Sequence, residues 1–217
     1  MLFRSASLLS LALLSLAAPA APEAEAEQLS PDVNSLGYLR CSAGSKNQVI
    51  GYISRSLNSF GEYIGVSPSS DPNDVNHRML VSLDVTGSGP QALLVKNAPK
   101  NNFPFLGGIA GSQGSSIGSD GDYVLIGGTQ STAVGAKPTY CGNTFTDSTN
   151  KLRKCASAIW VFNSTSNQVT PQWTNDDGSA VTGNVGYVNE AFVITGDKKE
   201  FEDTWEDKVE WVVSLFS

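Results

Sequence analysis

His77 is the one histidine in 217 residues, and it narrows the acid–base chemistry open to the chain. A Ser-His-Asp or Cys-His mechanism must pass through that imidazole. It ends the segment Asp-Pro-Asn-Asp-Val-Asn-His, residues 71–77, a turn-rich approach to a strand where a solvated surface position is expected. A histidine zinc site needs more imidazoles than the chain has, and no Cys-x-x-Cys pair offers a thiolate site. Carboxylates are plentiful. Glu62, Asp84, Asp120, Asp122 and Glu190 are candidates for a glycosidase-type acid and base, which must face each other across a cleft. Asn175-Asp176-Asp177, and Asp71 with Asn73 and Asp74, carry oxygen ligands of the kind calcium takes, without EF-hand spacing. Ordinary turn chemistry accounts for both sets. The glycine-rich run from Gly107 to Gly128 has no P-loop lysine, and Asp120 and Asp122 would repel phosphate. A long surface loop before a strand is expected there. No metal and no cofactor are expected.

The tryptophans invite a different chemistry, stacking on sugar rings. Trp160 lies in a run apolar on both faces, Trp205 on the inner face of a helix, and Trp211 alternates with Val and Leu; these three read as core. Trp173 stands beside the polar turn of residues 174–179, and with Asn175, Asp176 and Asp177 it is the candidate glycan-binding set. Asn163-Ser-Thr is a sequon at a hairpin tip, so Asn163 is the expected N-glycosylation position. Of the three cysteines, Cys141 and Cys155 flank a polar loop whose closure stabilises by about 3 kcal/mol in the chain-entropy model. That is the bridge expected. Cys41 is then a free thiol, expected as a small buried apolar residue, with an intermolecular bridge to a second copy as the other outcome for an otherwise monomeric chain.

Strands are the elements that must position these groups. Arg78–Val85 alternates, with Met79, Val81, Leu83 and Val85 on one face. Gln48–Ser54, Gln91–Lys96 and Asp122–Ile126 are further strand candidates. Ser157–Phe162 is apolar on both sides and, with Gln168–Trp173, is expected to form a hairpin. Short strands are also expected at Gly186–Val188 and Ala191–Thr195. One helix is expected, with Asp197 as N-cap and Glu200 three residues on, stacking Phe201 and Trp205 inward. The last strand, Val209–Phe216, is expected to turn Val209, Trp211, Val213 and Leu215 to one face. The pattern is that of a single all-β domain: a β-sandwich first, a closed barrel or trefoil as the alternative, with one short helix before the last strand.

The N-terminus sets the compartment. Arg4, the leucine-rich run Leu8–Leu16 and the small residues Ala17–Ala21 form a secretory signal peptide over residues 1–20, too short for a membrane span. Residues 21–35 are an acidic low-complexity lead or propeptide, and 36–217 the β-rich domain. A disulfide and a surface glycan both suit that destination. The net charge of −7 argues against nucleic acid and anionic membrane as partners.

Several phrases carry a resemblance: Ser59-Phe-Gly-Glu-Tyr63, the block Phe103–Thr129 ending Tyr-Val-Leu-Ile-Gly-Gly-Thr, Ser157-Ala-Ile-Trp160 with the run 172–179, and Ile194-Thr-Gly-Asp197. Over most of the mature chain the sequence resembles a group of small secreted proteins of basidiomycete fungi. The resemblance implies secretion and a shared β-rich domain and assigns no catalytic residue. The expected function is therefore that of a secreted, non-catalytic β domain, with cell-wall or matrix glycan, or an extracellular protein, as its partner. The alternatives are a carboxylate-dependent extracellular hydrolase and a structural or effector-like protein without a small-molecule ligand.

Overall fold

The computed structural model describes residues 34–43, 48–68, 76–118, 120–205 and 208–217. The expected signal peptide and most of the acidic segment lie outside them, as do Asp71, Asn73 and Asp74. In chain order the elements are β1 (Asn34–Ala43), β2 (Gln48–Ile53), β3 (Val66–Ser67), β4 (Leu80–Asp84), β5 (Pro90–Gln91), β6 (Leu93–Val95), β7 (Phe105–Ala110) and β8 (Tyr123–Thr129). There follow α1 (Thr144–Thr149), β9 (Cys155–Ala156), β10 (Trp160–Asn163), β11 (Gln168–Thr174), β12 (Ala180–Thr182), β13 (Asn184–Val188), β14 (Ala191–Thr195), α2 (Lys198–Trp205) and β15 (Glu210–Phe216).

Eight of these strands close an antiparallel barrel in the order β1-β4-β6-β7-β8-β14-β13-β15. β1 makes the closure. Its residues 34–38 pair with β4, while residues 39–43 pair with β15, so the last strand of the chain joins the first. The all-β class is as expected, and the closed barrel is the form the sheet takes in place of the sandwich set first. Closure leaves the ring strands without an open edge. β1 begins at Asn34, just ahead of the boundary expected at residue 36.

One buried cluster draws side chains from every strand of the ring. It includes Leu39, Val81, Leu83, Leu93, Val95, Leu106, Val124, Ile126, Phe192, Ile194, Val185 and Val212. The β10–β11 hairpin, paired in register from Trp160–Pro171 to Asn163–Gln168, adds Trp160, Phe162, Val169 and Trp173 to it. A second cluster lies on the opposite face of β7, β8 and β14: Ile109, Leu125 and Val193, covered by Phe201, Trp205, Trp211 and Phe145. These three central strands are thus buried on both sides, which explains their unbroken apolar runs.

The two clusters correct the parity expected for β15. Val212 and Ser214 are the buried pair, and Val212 faces the barrel core opposite Val185. Trp211 stands on the other face beside Phe201, ring centroids 6.1 Å apart. Apolar residues therefore occupy both faces of β15, and alternation alone could not say which points inward. Asp197 caps α2 as expected, its Oδ1 accepting from Lys199 N at 2.9 Å and Glu200 N at 3.1 Å. The box is not reciprocal: Asp197 N–H goes to Thr195 Oγ1. A second helix, α1, forms between the two bridged cysteines, where none was expected.

The stretch from Gly107 is likewise not all loop. Phe105–Ala110 is β7, and only the part from Gly111 to Asp122 connects it to β8. Gly108 is required there by close approach. A Cβ on it would stand 2.5 Å from Trp173 Cζ3, so the indole packs directly on the strand backbone.

Candidate functional site

Three segments distant in sequence meet on one side of the barrel: the turn 57–63, the start of the β7–β8 loop, and the disulfide loop 141–155. Asn58 shapes the first. Its Oδ1 accepts from Phe60 N (2.9 Å) and Glu62 N (3.0 Å), while its Nδ2 donates to Glu62 Oε2 at 2.7 Å. The turn docks on the barrel through a Glu62–Gly127 bridge and through Tyr63 N donating to Ile126 O. Gly61, at φ +82°, lies so close to α1 that a Cβ would overlap the Thr144 carbonyl. Thr144 Oγ1 donates to Gly61 O at 2.5 Å and accepts from Gly128 N, locking turn, helix and β8 together.

The disulfide loop is held from within. Cys141 and Cys155 are bridged as expected, with Cα atoms 5.6 Å apart. Asn143 caps α1 through Thr146 N (2.8 Å) and also donates to the carbonyls of Cys141 and Arg153, tying both limbs of the loop. Asn150 ends the helix in a left-handed conformation, φ 57°, and turns the chain back. Arg153 then reaches Gly111 O with Nη1, and its guanidinium carbon stands 5.6 Å from the Phe145 ring centroid.

Between these segments lies a cleft of about 540 Å³. Its apolar lining is Phe60, Tyr123, Leu125 and Phe145; its polar lining includes Glu62, Lys151 and Arg153 with four Ser or Thr hydroxyls. Phe60 is 56% exposed, while Leu125 is buried behind it. Tyr123 is fixed from behind, edge-on to Trp205 at 5.2 Å and to Phe201 at 5.7 Å. A second hollow of about 320 Å³ adjoins through Gly111, Ser112 and Arg153, and exposes Tyr140 and Leu152.

The glycan set expected around Trp173 does not form a platform. Trp173 is fully buried, and its Nε1 donates to Ser115 O at 2.7 Å. Its polar neighbours in sequence hold the β7–β8 loop instead. Asn175 exchanges hydrogen bonds with the backbone of Ile117. Asp176 accepts from Ser115 Oγ (2.5 Å) and pairs with Lys154 (2.9 Å); the Ser115 bond first, then Lys154, holds its carboxyl below the usual range. Asp177 is bound to Ser179 within its own turn. The burial of Trp173 comes from residues some sixty positions earlier, a signal its local sequence does not carry.

Nor do the five carboxylates converge. Glu62 alone of them lines the larger cleft. Asp84 is spent on an Asx turn with Thr86 and Gly87. Asp122 is raised by burial and by the neighbouring Asp120, and Glu190 sits in the β13–β14 turn at φ 66°. His77 lines a separate groove with Ser54, Ser56 and Gly65. The run Gly114-Ser-Ser-Ile-Gly118 matches the Gly-x-Ser-x-Gly nucleophile-elbow pattern. It lies in a loop between two strands rather than at a strand-to-helix turn, and Ser116 Oγ accepts from Asp176 N. No group of three or more His, Cys, Asp or Glu with metal-binding geometry occurs among the described residues. Cys41 is fully buried, which withdraws the basis for a bridge to a second copy. Asn163 is exposed at the β10–β11 turn, its Oδ1 accepting from Thr165 N and Ser166 N.

Comparison of the chain with protein-family models, curated proteins and solved structures finds no match.

Proposed function

We propose that this chain is a secreted, non-catalytic β-barrel domain that holds cell-wall or matrix glycan in the cleft between Phe60 and Arg153. The observation that carries the reading is the exposed Phe60 ring, set beside Tyr123 and Phe145 in a cleft edged by hydroxyls. Sugar rings present an apolar C–H face and a rim of hydroxyls, and a cleft of aromatic faces with a few placed polar groups matches both. The signal-like leader and the Cys141–Cys155 bridge support delivery outside the cell, as does the resemblance to secreted fungal proteins. On this reading Asn163 carries an N-glycan that serves solubility, away from ligand contact. Glu62, held by Asn58, acts as a hydroxyl acceptor rather than as half of a hydrolytic pair.

Pulldown of the secreted protein on insoluble chitin, β-glucan and cellulose tests the reading. Retention on at least one polymer, lost in Phe60→Ala and Tyr123→Ala but kept in a distant surface variant, is expected. Release of reducing ends that stops in Glu62→Gln would instead establish the hydrolase.

A further inference from the structure

We infer that the saccharide taken by this cleft carries a carboxylate, as a uronic acid does. The inference rests on the glycan reading above and names the substrate class of the same site. The chain has 21 acidic residues against 14 Lys and Arg, yet the charged residues lining the larger cleft are Lys151, Arg153 and Glu62. The cleft is therefore locally cationic on a molecule of net charge −7. Lys154, in the adjoining hollow, is neutralised by Asp176. Lys151 and Arg153 have no ion pair among the described residues. Glu62 forms no ion pair with either, its Oε2 accepting from Asn58 instead, so the lining keeps a net single positive charge.

Arg153 is built for planar recognition. One of its five N–H donors is used on Gly111 O, which anchors the guanidinium, and its carbon lies over the Phe145 ring at 5.6 Å from the centroid. A guanidinium so held presents its remaining donors to a planar anion, and a carboxylate accepts them two at a time. Lys151, exposed two residues earlier on the same limb, adds an unpaired positive charge. The Cys141–Cys155 bridge and Asn143 hold that limb against β7. A sugar acid would stack its ring on Phe60 and Tyr123, offer hydroxyls to Glu62 and the serines, and bring its carboxylate to Arg153 and Lys151.

Calorimetric titration with a galacturonate oligomer, its methyl ester and a neutral chitin oligomer decides the matter. The acid is expected to bind about tenfold more tightly than its ester, as one charge-assisted hydrogen bond would give, and less so at high salt. Arg153→Gln and Lys151→Gln should each lower the ratio of acid to ester affinity several-fold, and Arg153→Lys should restore part of it. Lys151 is exposed, so its variant carries the test should Arg153→Gln fold poorly. Equal binding of acid and ester, both weakened in Phe60→Ala, overturns the carboxylate inference and leaves the glycan cleft standing. Binding of no oligomer, or binding indifferent to Phe60→Ala, overturns both.

Discussion

Replacing Trp173 by Phe should destabilise the barrel markedly while leaving the ligand cleft intact. The indole is fully buried, its Nε1 donates to Ser115 O at 2.7 Å, and it lies against the backbone of Gly108. Phenylalanine keeps part of the apolar contact but strands the Ser115 carbonyl, which costs about 1–3 kcal/mol. The lost ring volume adds to this, and full truncation of a buried Trp costs about 3–5 kcal/mol, so Trp173→Phe should cost about 2–3 kcal/mol. For a domain of this size, 1 kcal/mol moves the midpoint by about 2–4 °C, giving a fall of about 4–12 °C. Thermal melts by circular dichroism, with urea titration to confirm an unchanged slope, measure it. Polysaccharide retention by the folded variant should equal that of the parent. A variant that melts within about 2 °C of the parent but loses retention would refute the reasoning and return Trp173 to the surface.

Other expectations follow from the same contacts. Cys141→Ser with Cys155→Ser should cost about 3 kcal/mol and weaken retention, because the bridge frames the limb carrying Arg153; a melt and a pulldown check both. Burial, reinforced by Glu210, pushes the Cys41 thiol up to about 12 from 9.0. Its contribution is whole below pH 9; above that the unfolded chain alone releases the proton, so stability should fall by about 1.4 kcal/mol per pH unit until the folded thiol ionises. Alkaline urea titrations of the parent and Cys41→Ala should differ by that slope, and a thiol reagent should label Cys41 only after unfolding. Asp176, with its carboxyl lowered, supports the fold above the usual carboxylate pKa and loses that support as pH falls through its folded value. Being half exposed, it should cost less than about 1 kcal/mol as Asp176→Asn, but amide exchange should quicken over residues 112–118. Gly61→Ala should release the Phe60 turn from α1 and lower both the melting midpoint and retention.

β4 was legible from its alternation, although Val85, placed on the same inner face, is only half-buried. Met79, Val81 and Leu83 are all buried, as their alternation predicts. Where both faces are covered, the pattern failed to give direction: β15 places Val212 in the barrel and Trp211 under α2, and both are apolar. β1 was missed altogether. Its sequence, Asn-Ser-Leu-Gly-Tyr-Leu-Arg-Cys-Ser-Ala, has no β-branched residue, and its conformation is imposed by pairing with β4, β2 and β15. The Cys141–Cys155 bridge was readable because loop length and polarity are local. The cleft was not, because it joins residues near 60, 111, 123 and 150 only after the barrel closes. Trp173 shows the same limit from the other side: polar neighbours in sequence, and a buried ring in space.

The central claim is that ligand is held between Phe60 and Arg153. It is tested most directly by ¹H–¹⁵N spectra of the labelled protein titrated with soluble chitin, β-glucan and galacturonate oligomers. Shifts should concentrate on the amides of Ser59–Glu62, Gly111–Ser112, Tyr123 and Phe145–Arg153, with the galacturonate oligomer giving the largest. Shifts centred on other faces of the barrel, or spectra unmoved by every oligomer, would contradict it.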